Sequence, residues 1–258
     1  MNTFLILLKK ELLEQSKSKK LLILAFLFLF VAVSSAIFAK IMPELLKSLN
    51  VQGQGIEIKL PTPSYKDAID QFIKNISQLA IFVIIFVVAG SISDEKSKKT
   101  LELLLVKPVS RKTFVLAKYI SYFLSIGIIF ALSSLIFYFY TVSLFGHFDL
   151  INFLIMAKMT LIYILLIVSV TIFGSSIFSN NIMAAGIGFV GMILFGSIPA
   201  LFKKLSDYTP YRLIGDYKDI MEKGFGADTW TPLVISILLI FILIGSSIYF
   251  MNKQEVER

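Results

Sequence analysis

Six stretches of this chain are long, apolar and almost free of charge: 21–42, 72–92, 114–145, 151–174, 182–202 and 231–251. Each is long enough to cross a bilayer, which takes about 20 residues at a rise of 1.5 Å per residue. In hydrocarbon every backbone N–H and C=O needs an internal partner, so only helices or closed barrels cross. These runs are continuous rather than alternating, which selects helices. The fold expected is an all-α polytopic membrane protein, one transmembrane domain over 1–258. The 114–145 run is long enough to tilt or project. Ser34-Ser35-Ala36 loosely resembles a signal cleavage site, but the apolar core before it is too long and its leader too extended.

Composition agrees. The apolar share is 57% with 24 Phe, and mean hydropathy is +0.82. There is no cysteine and only one histidine, His147, which excludes disulfides, thiolate sites and His-based metal clusters. The net charge of +8 would suggest nucleic acid in a soluble domain. Here the lysines and arginines flank apolar runs and form no stripe with exposed aromatics, so lipid head groups are the expected contact and nucleic acid is not.

Positive residues in short flanks set orientation. Lys9, Lys10, Lys17, Lys19 and Lys20 precede the first run, and six basic residues lie in 93–113, whereas 146–150 has none. Both termini, 93–113 and 175–181 are expected on the cytoplasmic side of the plasma membrane. Segments 43–71 and 203–230 are expected outside. Gly53, Gly55, Pro61 and Pro63 should break regular structure in the first of these, with a small hairpin over 51–60. In the second, 211–221 reads as a short helix, and Tyr208, Tyr211, Tyr217 and Trp230 suit the head-group belt. Residues 1–20 read as an interfacial helix. Its apolar face is Phe4, Leu5, Leu8 and Leu12, with Lys9, Lys10, Glu11 and Glu14 largely off it.

The most informative polar segment is 93–113. Thr100 can cap a helix by accepting a backbone N–H. Leu101, Leu104 and Leu105 share a face at i, i+3, i+4 spacing, and Glu102 lies off it. Pro108 stops the turn, Ser110 can cap the next span, and Lys118 is placed to snorkel back to the head groups. An exposed run from Leu101 to Val106 needs cover, from a partner or from the lipid surface.

The order Glu95, Thr100-Leu101-Glu102-Leu103-Leu104, Pro108-Val109-Ser110-Arg111, then Lys118 resembles the stretch between the second and third spans of type-2 ABC-transporter permeases. The layout is similar along the whole chain, although only this segment is motif-specific. Lys98-Lys99 departs from the family, where glycine is frequent before the threonine. The resemblance implies that 100–107 is a coupling helix on which a separate ABC ATP-binding subunit docks. Glu95, Thr100, Leu101, Glu102, Leu104, Leu105, Pro108 and Arg111 would be the coupling residues. It also implies ATP and Mg bound by that partner, a second permease copy or a homologous permease, and no cofactor on this chain.

No GxxxxGK[ST], G-x-S-x-G or H-E-x-x-H occurs, so the chain itself is not expected to be an enzyme. Lys158 lies about 10 Å into its span and either snorkels to the interface or lines a cavity. Glycines and serines crowd the last three spans, which suits close helix packing within one subunit or, on the 182–202 run, between subunits. The spans carry no acidic residue of the kind expected in an ion-coupled carrier, and no inverted halves are evident. The leading expectation is therefore the membrane subunit of an ATP-driven exporter, and the alternatives are an ATP-independent transporter or channel, or a membrane scaffold for a soluble partner.

Overall fold

A computed structural model describes residues 3–50, 62–100, 110–197, 208–226 and 229–254, with side chains of 46–50 excepted. All regular structure among them is helical. Helix α1 is Thr3–Lys17 and α2 Lys19–Asn50. Helix α3 is Tyr65–Ser97, α4 Arg111–Phe145 and α5 Leu150–Ile177. Helix α6 is Asn181–Ser197, and two short helices follow, α7 Arg212–Gly215 and α8 Tyr217–Lys223. Helix α9 is Trp230–Lys253. Among the described residues, five helices (α2, α3, α4, α5 and α9) are long and apolar enough to cross a membrane, and α6 is a shorter apolar helix.

The helix ends follow local chemistry. The Ser110 hydroxyl accepts the Thr113 N–H, as the sequence predicts. Asp149 and Asn180 cap α5 and α6 in the same way. Two ends differ from expectation. Helix α2 runs on through Pro43 to Asn50, and α3 begins at Tyr65 inside the expected 43–71 loop. Proline is tolerated in membrane helices because neighbours re-satisfy the freed backbone groups. The early start of α3 is a capping box, in which Asp67 Oδ2 accepts the Ser64 N–H at 2.9 Å. The amphipathic turns that follow bury Ala68, Ile69, Phe72 and Ile73. Residues 51–60, the expected hairpin, lie outside the described residues. The helix expected over 211–221 is present as α7 and α8, broken at Asp216.

Helix α5 is the centre of the bundle and packs against α3, α4, α6, α7, α8 and α9; α2 packs on α3 and α4, and α1 on α4. Aromatic pairs seal the contacts: Phe72 stacks on Phe137 with ring centroids 4.1 Å apart, and Phe28 meets Phe130 edge-on at 5.9 Å. Several polar groups inside the bundle are paired, while Ser91 Oγ, Glu95 Oε2, Ser134 Oγ and Thr141 Oγ1 are buried with no partner among the described residues. The Tyr119 hydroxyl lies 3.1 Å from the Ser169 carbonyl and 2.8 Å from Ser247 Oγ, and Asn75 donates to Ser35 Oγ at 2.9 Å. The outward faces of the long helices are largely apolar, with Phe26, Phe139 and Phe241 well exposed.

Candidate functional site

At the end of the bundle that carries α1, three helices meet in a buried ion network. Glu11 (α1), Glu95 (α3) and Lys118 (α4) are all at least nine-tenths buried. The Lys118 ammonium lies 2.6 Å from Glu11 Oε2 and 2.7 Å from Glu95 Oε1. Lys10 closes the network from the rim, 3.0 Å from Glu11, 3.1 Å from Glu95 and 2.8 Å from Glu14. Beside it the Gln15 amide donates to Ser121 Oγ at 2.9 Å and accepts from Ser125 Oγ at 2.7 Å. Burial opposes the charge on Lys10, but its hydrogen bond to Glu14 and the Glu11 and Glu95 charges outweigh this and raise its pKa. Burial likewise works to raise Glu14, yet the Lys10 bond and the Lys118 charge prevail and lower it. The three carboxylates come within metal-holding distance of one another, but the two lysines already supply their cations.

This network corrects two expectations. Lys118 does not snorkel; it points inward and is 3% exposed. Helix α1 buries Leu7, Glu11 and Gln15, not the Phe4/Leu5/Leu8/Leu12 face, and Leu5 is 55% exposed. The surface α1 meets includes Lys118, Ser121 and Ser125, so Glu11 and Gln15 turn to protein beside Leu7, while Leu5, Ile6 and Leu13 face the surroundings. The signal was the Leu7, Glu11, Gln15 row at i, i+4 spacing, a single face of α1 that carries two polar side chains able to pair with polar groups on another helix.

Neighbouring side chains fix both ends of the 98–110 segment. At its start, Asp94 pairs with Lys20 at 2.9 Å and accepts from Asn181 at 2.6 Å, tying α3 to α2 and α6. Ser175 Oγ accepts the N–H groups of Ile92 and Ser93, both at 2.9 Å. Lys96 donates to the Ser176 carbonyl at the end of α5. At the exit, the Arg111 guanidinium donates to the carbonyls of Met251 (2.7 Å), Asn252 (3.1 Å) and Gln254 (2.7 Å). These are orphan acceptors at the end of α9, where a cation is favoured. Gln254 in turn donates to Ser176 and Ile177 carbonyls.

Of the sequence-predicted coupling residues, Glu95 and Arg111 are thus tied into the bundle. The Thr100 hydroxyl donates to the Glu95 carbonyl at 3.3 Å; the capping role expected of it concerns residues that are not described. Leu101, Glu102, Leu104, Leu105 and Pro108 lie outside the described residues. Lys99, the departure from the glycine pattern, has a positive φ of 56°. That left-handed conformation costs an L-residue roughly 1–2 kcal/mol. Lys99→Gly should therefore raise the unfolding midpoint, by less than about 1 kcal/mol because glycine loses more chain entropy. Lys99→Val should lower it, and thermal unfolding of the purified chain checks both.

Lys158 sits on the exposed face of α5, outside the linings of the cavity under α1 and of those bounded by α3 and α8. Of the aromatic belt, Tyr208 and Trp230 are exposed as expected, but Tyr217 is buried, with its hydroxyl donated to Asp70.

The model of the ABC-2 family transporter proteins matches residues 5–256. The chain belongs to this family. It is also 26% identical over 260 residues to the uncharacterized transmembrane protein YxlG of Bacillus subtilis (strain 168), an alignment covering 99% of each chain. With its several apolar helices, the chain is a multi-pass membrane protein and a transmembrane component of an ABC transporter. Within the ABC-2 family reading, the ion network lies at the root of the segment that carries the family-like motif.

Proposed function

We propose that the chain is the permease subunit of an ATP-driven exporter, coupled through 100–107 to a separate ATP-binding subunit that holds ATP and Mg. In this reading α6 continues as a sixth span, both termini and 93–113 are cytoplasmic, and α7 and α8 lie outside. A second permease copy or a homologous permease completes the path. The observation that carries the reading is the fixing of both ends of the 98–110 segment. Glu95 and Lys96 anchor its start to α1, α4 and α5, and Arg111 anchors its exit to α9. Force applied to a segment held this way passes into five helices and is not lost in a slack loop. Packed helices respond by shifting between discrete arrangements.

The test is co-purification with a candidate ABC ATP-binding subunit. Glu102→Arg and Leu104→Asp should each reduce ATPase capture and transport-coupled ATP hydrolysis about tenfold or more, on the scale of a lost buried contact. Membrane insertion should not change. Undiminished capture and activity in both variants would remove the coupling role.

A further inference from the structure

The opposite end of the bundle holds a cavity of about 320 Å³ between α3, α5 and α6, roofed by α7 and α8. Its walls contain both π-helical segments among the described residues, Ile76–Ala80 in α3 and Ile193–Ser197 in α6. Ser77 and Gln78 come from the first and Gly196 and Ser197 from the second. π turns within α-helices are rare and concentrate at functional sites. The Tyr163 ring is buried, but its hydroxyl faces the cavity and has no hydrogen-bond partner among the described residues. Gly196 keeps that hydroxyl accessible, because a Cβ there would sit 2.7 Å from it. Tyr211 and Tyr217 add two more rings, and Ile73, Met192 and Ile214 supply apolar wall. At the rim, Asp70 pairs with Lys74 at 2.6 Å, and that lysine is 62% exposed.

We infer that this cavity binds the zwitterionic head group of an amphipathic molecule: its ammonium beside Asp70 and the tyrosine rings, its phosphate beside Lys74. Tyrosine faces attract ammonium groups, and a carboxylate and a lysine complete the two charges. Asp70 faces two lysines, Lys74 at 2.6 Å and Lys218 at 3.8 Å, so a ligand that brings an ammonium as well as a phosphate satisfies the carboxylate as it draws Lys74 away, whereas a purely cationic ligand leaves the lysines unpaired. A ligand carrying both signs exchanges one balanced arrangement for another. Tyr163 and Gln78 offer hydrogen bonds to the glycerol or ester oxygens below, and the apolar wall takes the start of the chains.

The inference deepens the transport reading by naming a cargo class, and it is tested on this chain alone, without any ATPase. The purified protein is titrated with phosphatidylethanolamine, phosphatidylglycerol and soluble glycerophosphoethanolamine, and bound molecules are counted by native mass spectrometry. Phosphatidylethanolamine should be retained over phosphatidylglycerol. Tyr163→Phe and the charge-neutral double variant D70N/K74Q should each weaken retention about tenfold, while K66Q/E222Q, an exposed pair outside this cavity, should not. Binding of the soluble head group with the same variant dependence supports head-group recognition without a lipid source. Equal retention of both lipids, or retention indifferent to Tyr163 and Asp70, overturns the proposal. Failure of the unaltered protein to retain either lipid, where ATPase capture in the separate co-purification is intact, counts against this site alone.

Discussion

Replacing Lys118 by methionine is expected to destabilise the chain by about 3–5 kcal/mol, the range for breaking a buried ion pair by removing one partner. The ammonium is the nearest cation to both Glu11 Oε2 and Glu95 Oε1. Without it, two buried carboxylates share Lys10, whose side chain is 39% exposed and which already serves Glu14. Glu95 starts with little reserve: its Oε2 is buried with no partner among the described residues, as is Ser91 Oγ. Both residues border a cavity of about 350 Å³ under α1. The triple variant E11Q/E95Q/K118M should recover most of the loss, since it removes the three buried charges together and leaves Lys10 paired with Glu14 at the rim. Thermal unfolding in detergent separates the two cases. A single and a triple variant that melt together would mean that packing, not charge, holds α1 on α4. If α1 is released while the spans stay folded, ATPase capture should fall as well, because the start of the 98–110 segment loses its anchor.

Five of the six runs read as spans are helices long and apolar enough to cross, and they were legible because a continuous uncharged run in a bilayer has little choice but to satisfy its backbone within a helix; of the 182–202 run the described residues end at Ser197. Ser110 was legible too, since a hydroxyl before a helical run has a local role that tertiary context does not overturn. What hydropathy hid were the polar residues. Lys118 and Glu11 each read as interfacial when taken alone, because a lone charge near a membrane surface has water and head groups within reach. Their pairing needs α1 folded back against α4, a contact between segments more than 100 residues apart that no local pattern encodes. The same holds for Tyr217, which reads as a belt residue until Asp70 of α3 is placed beside it. Lys99 shows the reverse case. The sequence marked it as unusual against a glycine-rich pattern, and the backbone there has the conformation that glycine tolerates best.

The glycines of α5 and α6 give the second large expected effect. A Cβ on Gly174 would lie 2.7 Å from Ile187 Cβ and 2.8 Å from the Ala184 carbonyl oxygen; one on Gly188 would lie 2.6 Å from Thr171 Oγ1 and 2.7 Å from Ile85 Cγ2. The first obstacle includes backbone, which cannot rotate away, so the helices themselves must part. Gly174→Val should cost more than the roughly 1–3 kcal/mol typical of overpacking, and Gly188→Val should fall within that range because side chains can yield. Gly186 and Gly245 have open space where a Cβ would go. Alanine there should be neutral or stabilising by up to about 1 kcal/mol through helix propensity. The contrast also tests assembly. Gly186 is exposed on α6 next to Met183 and Val190, in line with the exposed Phe82 and Phe86 of α3 that meet Phe189. Without water as solvent, helices associate by close packing, so a leucine at 186 that leaves the unfolding midpoint unchanged but shifts the complex from two permease copies to one would place the second subunit on this face. If Gly186→Leu leaves both stability and copy number unaltered, the small residues of α6 serve packing within the subunit alone, through Gly188 and Gly191.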